Sequence, residues 1–185
     1  MVKTLSSMLP LGTYAPQFSL LDPLSGKTVS LNEPKKSLAT VIMFICNHCP
    51  YVKHVNKELP RIANDYINKG VRFIAINSNN VEDYPDDSPE HMKATATQQG
   101  YPFPYLFDET QEVARAYQAA CTPDFFVFDK NMMLAYRGQL DDSRPGNKIK
   151  VNGNSIRMAL DCLLADKPVP EHQIPSIGCN IKWKE

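Results

Sequence analysis

The sequence lacks a sustained apolar run, an excess of charge of either sign, and an even, closely spaced set of cysteines. Each absence excludes a class of protein. Without a long apolar stretch no transmembrane helix is expected, and residues 1–10, with one lysine and no hydrophobic centre, do not read as a secretory signal. With 20 basic against 20 acidic residues, the chain has no field that would draw in nucleic acid or an anionic membrane, so small-molecule or protein partners are expected. Five cysteines in 185 residues, an odd number, do not form a secreted disulfide framework. The expected address is therefore the reducing cytoplasm, where a Cys-x-x-Cys pair is catalytic, metal-binding or incidental. Internal repeats and low-complexity segments are missing too.

What is present fits one domain over residues 1–185, long enough to bury a core without covalent staples. Residues 11–31 alternate short apolar stretches with Gly and Pro, which predicts an N-terminal β-hairpin at the edge of the core. Residues 38–45 are almost uninterruptedly apolar and rich in β-branched side chains, the pattern of a strand buried on both faces. After it, Val52, Val55, Leu59, Ile62 and Tyr66 make one helical stripe, with Pro50 in its first turn and Gly70 as its cap; Pro60 predicts a kink. A second buried strand at 71–76 follows, then a helix capped by Ser88 and ending near Gly100, and a short strand at 105–107. Asp108 and Gln111 have the spacing of a capping box, which predicts a helix running to Ala120. Asp129-Lys130-Asn131 joins two strands in a hairpin, a last helix buries Ile156, Ala159, Leu160, Leu163 and Leu164, and the tail from Lys167 reads as a loop. This order predicts an α/β fold: a central mixed β-sheet flanked by helices on both faces.

The chemistry points to Cys46-Asn47-His48-Cys49, set between a buried strand and a helix start. A cysteine there faces unpaired N–H groups and the positive end of the helix dipole, which favour the thiolate. The expectation is that Cys46 holds that place and attacks a disulfide, that Cys49, one turn on, resolves the mixed disulfide, and that His48 supplies positive charge or a donor. The competing reading, two small buried hydrophobes, is weakened by the strand-to-helix context. Zinc is disfavoured because a second Cys or His pair at ligand spacing is missing.

The stretch just described, together with residues 11–20, Cys121-Thr122-Pro123-Asp124-Phe125-Phe126 and Ile177-Gly178-Cys179-Asn180-Ile181-Lys182-Trp183, resembles the thioredoxin superfamily. It is closest to the peroxiredoxin-like branch, of alkyl hydroperoxide reductase and thiol-specific antioxidant type, that carries a Cys-x-x-Cys. The resemblance implies a thioredoxin-like fold, with Thr122-Pro123 as a cis-proline turn against the motif that presents an extended substrate. Cys121 would then lie near Cys46 and could share in exchange. Two departures stand out. The peroxidatic cysteine of peroxiredoxins aligns with Cys49, but the Pro and Thr that shape the peroxide pocket are replaced by Ile42 and Cys46. Unlike thioredoxin, the strand at 38–45 holds no acidic proton acceptor, which leaves His48, Asp124 or water.

The leading function is a thiol–disulfide oxidoreductase acting on protein or small-molecule disulfides, renewed by a cellular thiol reductant, with no organic cofactor and no resident metal. Two alternatives stay open: a thiol peroxidase using Cys49, with Cys46, Cys121 or Cys179 resolving it, and a soft-metal module through Cys46, Cys49 and Cys121. Cys162 reads as a packed thiol, Cys179 as structural more than resolving, and His54, His91 and His172 as surface residues.

Overall fold

A computed structural model describes residues 3–32 and 37–185. The strands are β1 (Lys3–Leu5), β2 (Ser19–Asp22), β3 (Lys27–Ser30), β4 (Ala39–Phe44), β5 (Val71–Asn77), β6 (Tyr105–Phe107), β7 (Cys121–Thr122), β8 (Asp124–Asp129), β9 (Leu134–Gly138) and β10 (Ile177–Asn180). The helices are α1 (Pro50–Val55), α2 (Glu58–Ile67), α3 (Pro89–Gln99), α4 (Glu112–Ala116) and α5 (Asn154–Leu164), with a single 3₁₀ turn at Pro85–Asp87.

Seven strands form the central sheet in the order β3-β2-β6-β5-β4-β8-β9, with β4-β5 and β5-β6 parallel and the rest antiparallel. All of β4 is buried, as its apolar run requires, and successive side chains feed opposite faces. Val41 and Met43 join Val52, Leu59, Ile62, Met92 and Leu160 on the face covered by α1, α2, α3 and α5. Ile42 and Phe44 join Ala114, Tyr117 and Phe18 on the other. There Tyr117 packs against Phe44, Phe126 and Phe128 at centroid separations of 5.6, 5.7 and 5.9 Å, tilted or edge-on as ring quadrupoles prefer. The expected mixed sheet with helices on both faces is present, and the N-terminal hairpin forms its β3-β2 edge.

Three elements differ from the sequence expectation. The helix after the motif is two helices, broken at Asn56 and Lys57. Pro60 has no N–H for the carbonyl of Asn56, so the break falls one turn upstream and leaves Pro60 in the first turn of α2. The α4 helix stops at Ala116 and is not opened by a capping box: Gln111 sits at φ 63°, and the Asp108 carboxylate instead accepts from Ala114 N at 2.9 Å. Finally, the tail is not merely a loop. Its β10 pairs with β1 and β7 in a second, three-stranded sheet, with Cys179 opposite Thr122.

Candidate active site

The motif leaves β4 at its C-terminal end, and the turn it makes ends on Pro50 at the first position of α1. Cys49, not Cys46, is therefore the N-cap residue. Cys46 lies in the preceding turn, and both are shut off from solvent, at 2% and 0% exposure. The cis peptide expected at Thr122-Pro123 is present. Thr122 meets both sulfurs, its Oγ1 3.2 Å from Cys46 Sγ and its carbonyl oxygen 3.2 Å from Cys49 Sγ, from which it accepts while Cys49 is protonated.

Cys49 sits among donors. The thiol of Cys46, the thiol of Cys179 and the backbone N–H groups of Val52 and Cys179 all stabilise its ionised form; against burial they bring its pKa from 9.0 down to about 5. Val52 is the N3 residue of α1, and its amide faces the Cys49 sulfur without making a capping hydrogen bond to it. Burial pushes the Cys46 thiol well above its usual range, reinforced by its bond to Cys49 and by the nearby charge of Asp87. Of the two thiols, the one whose pKa is lowered is thus Cys49, chiefly by the Cys46 thiol beside it.

Asp87, fully buried, organises the other side of the turn. Its carboxylate accepts from Asn47 N at 2.7 Å and Asn79 Nδ2 at 2.8 Å, and lies 2.6 Å from His48 Nδ1. Burial raises its pKa, but these bonds outweigh burial and hold the carboxyl below its usual range. The His48 ring stacks on Tyr84 at 5.3 Å, with its buried Nε2 unpartnered. His48 is therefore part of the site through Asp87. Sequence reasoning missed Asp87 because it is one acid in a polar, turn-rich loop, with no spacing to mark it.

Cys121 is buried near the pair, but its thiol turns to the Pro123 carbonyl at 3.7 Å. The sulfur that touches Cys49 belongs to Cys179, at 2.8 Å. Among the described residues, the set whose ligand-type atoms all lie within 4.8 Å of one another is Cys46, His48 and Asp87, not Cys46, Cys49 and Cys121. Asp124, the other proton acceptor considered, is fully buried with neither oxygen hydrogen-bonded, and burial raises its pKa well above 3.8 despite the nearby amides of Ala120 and Phe125. Of the histidines read as surface residues, His91 and His172 are exposed, whereas His54 is half-buried and bonded to Ser143 Oγ at 2.7 Å. Among the described residues no helix is long and apolar enough to cross a membrane.

Comparison with known proteins places this geometry. The model of the AhpC/TSA family matches residues 11–137. A crystal structure of an uncharacterized conserved protein from Geobacillus kaustophilus is 64% identical, with a TM-score of 0.97, over 100% of this chain and 97% of that one. A hypothetical protein from Sinorhizobium meliloti 1021 is 46% identical, with a TM-score of 0.96, over 98% of each chain. The thioredoxin domain of a thiol-disulfide oxidoreductase from Bacteroides vulgatus is 19% identical, with a TM-score of 0.60, over 74% of this chain and 90% of that one, a likeness of fold alone. No curated protein matches the chain. The fold is thioredoxin-like.

Proposed function

We propose, from the premise that this chain belongs to the AhpC/TSA family, that it is a thiol–disulfide oxidoreductase working through a Cys46–Cys49 dithiol–disulfide couple. The observation that carries this reading is that both thiols meet Thr122 of the cis-Pro123 turn, with Cys49 at the N-cap of α1 and its pKa lowered. The Cys49 thiolate attacks a disulfide R–S–S–R′, forming a Cys49–S–S–R bond and releasing R′S⁻. Cys46 then attacks the Cys49 sulfur, closes the Cys46–Cys49 disulfide and expels RS⁻, which takes up the Cys46 proton. The substrate gains two electrons and the protein loses two. Because both sulfurs are closed to solvent, entry of a substrate requires a local opening beside Pro123. A protein or small-molecule disulfide is the substrate class, and a cytoplasmic thiol reductant renews the dithiol.

The test is equilibration in glutathione or dithiothreitol buffers, with thiol trapping and mass spectrometry, beside turnover of a generic disulfide by the wild type, Cys46→Ser and Cys49→Ser. A reversible two-electron couple between Cys46 and Cys49, with turnover lost in Cys49→Ser and lowered in Cys46→Ser, is expected. Failure of that disulfide to form, or equal turnover in all three proteins, would sink the proposal. The low pKa of Cys49 also favours a second reading, a thiol peroxidase reacting at Cys49. Peroxide-dependent sulfenic acid at Cys49, with peroxide turnover exceeding disulfide turnover, is its signature.

A further inference from the structure

Resting on the dithiol reading, the geometry points to Cys179 as a third redox thiol of the site: we propose that Cys49 forms a disulfide with Cys46 or with Cys179, and that the two interconvert by internal exchange. The Cys179 sulfur lies 2.8 Å from the Cys49 sulfur, inside the contact distance of two sulfurs and beyond a covalent S–S bond of about 2.05 Å. Among the described residues no disulfide is formed, so both are reduced in this state. Cys49 is thus the common neighbour of two thiols, and its sulfur is shared between two possible bonds.

The fold brings Cys179 there by close backbone approach. In β10, Cys179 pairs with Thr122, the residue whose carbonyl receives the Cys49 thiol. Its neighbour Gly178 lies so near that turn that a Cβ would meet the Thr122 carbonyl oxygen at 1.9 Å. Only glycine lets the strand come this close. Cys121, the other buried thiol, is directed to the Pro123 carbonyl and makes no such contact with Cys49.

The exchange balances without any outside reagent. Starting from the Cys46–Cys49 disulfide, the Cys179 sulfur attacks that of Cys49; the Cys49–Cys179 bond forms, the Cys46–Cys49 bond breaks, and Cys46 leaves with the proton that Cys179 gives up. No net electrons move, and since all three sulfurs are buried, solvent access is not needed. In the reduced site burial, together with the neighbouring Cys49 thiolate, pushes the Cys179 thiol up to about 12. Once Cys49 is in a disulfide its charge is gone, and Cys179 ionises more readily. The same geometry lets Cys179 take the place of Cys46 in resolving a mixed disulfide on Cys49.

The experiment uses full-length wild type, Cys46→Ser, Cys46→Ala, Cys179→Ser and the Cys46→Ser/Cys179→Ser double variant, each shown to be folded by circular dichroism. After treatment with oxidised glutathione, remaining thiols are alkylated in denaturant and disulfides mapped by mass spectrometry. In the two Cys46 variants a Cys49–Cys179 disulfide is expected, with glutathione retained on Cys49 only in the double variant. Cys46 variants that keep glutathione on Cys49, or in which Cys179 is recovered as an alkylated thiol, overturn the proposal. Failure of the dithiol reading itself would appear elsewhere, as absence of the Cys46–Cys49 disulfide from Cys179→Ser.

Discussion

The acidity of a thiol depends on which donors reach it, and here a shift of three residues decides it. Cys46 and Cys49 are both near the start of α1, but it is Cys49 on which the thiol of Cys46, then that of Cys179, then the Val52 amide act. Ultraviolet absorbance of the thiolate should therefore rise with a midpoint near pH 5, and this transition should vanish in Cys49→Ser while it survives in Cys179→Ser at a higher pH. The stability that goes with it has a definite sign. Because the folded-state pKa is depressed from 9.0 to about 5, the contribution of Cys49 is complete above pH 9 and is lost as pH falls through 5. Asp124 behaves oppositely. Its folded-state pKa is raised from 3.8 by burial, so the stability it leaves intact below that value is eroded as pH rises toward the folded pKa. Asp124→Asn needs no proton to be neutral, and should gain on the order of 1 kcal/mol at neutral pH with a flatter pH dependence by chemical denaturation. A variant less stable than wild type at pH 7 would show that the carboxyl is kept for a polar contact. At this scale the Cys-x-x-Cys was legible as a local pattern with a mechanism, and the Pro123 turn through the family resemblance. Asp87 and the contact of Cys179 with Cys49 were not, because each arises from residues 40 and 130 positions apart.

Elements carry the site by where they stop and how closely they approach. The α1 helix is only six residues long, because Pro60 disrupts the carbonyl of Asn56, and this separates the motif's helix from the longer α2. The proline was visible in the sequence, but the displacement of the break by one turn follows from the missing bond and not from the proline's own position. The β10 strand was illegible for a different reason. Its four residues include Gly178 and Asn180, both poor strand formers, and its strand character comes from pairing with β1 and β7, far away in sequence. Gly178 is where that pairing is most exacting. Gly178→Ala places a methyl group against the Thr122 carbonyl, and either β10 or the cis-proline turn must move. The expected cost is roughly 1–3 kcal/mol, as for overpacked interiors. Alkylation of native Cys49 should quicken at the same time. Unchanged stability with an unchanged alkylation rate would mean that β10 does not fix the site.

At the scale of the whole molecule the second sheet and the central sheet share a covalent hinge, since β7 ends at Thr122 and β8 begins at Asp124 across Pro123. The tail that supplies β10 is also bonded to the central sheet before and after it. Gln139 N donates to the Ile174 carbonyl at 3.0 Å, covering the open edge of β9, and the Gln173 side-chain Oε1 accepts from Arg137 N at 3.0 Å and Nη1 at 2.8 Å. Beyond β10, the Lys182 carbonyl accepts from Asn80 N at 2.8 Å and Gln111 Nε2 at 2.7 Å, while Lys182 N donates to Asn79 Oδ1 at 2.8 Å. Asn79 also holds Asp87, so the tail braces the loop that orders the Asn47-His48 turn. Such cross-bracing makes independent unfolding of the tail costly, and we propose that residues 1–185 unfold as one thioredoxin-like domain. The single tryptophan offers a direct check. Trp183 lies in the tail, half-exposed under the Arg115 guanidinium at 4.5 Å, so its fluorescence reports docking of the tail alone. Far-ultraviolet circular dichroism is dominated instead by the helices and the central sheet. In urea the two signals should trace one coincident transition for the reduced protein. If β10 is anchored to Cys49 by a disulfide, the oxidised Cys46→Ser variant should unfold at higher urea by both probes together, since the bond closes a loop of more than a hundred residues in the unfolded chain. A fluorescence transition that precedes the dichroic one in the reduced protein would mean that the tail detaches as a separate unit, and would place the local opening of the dithiol at β10.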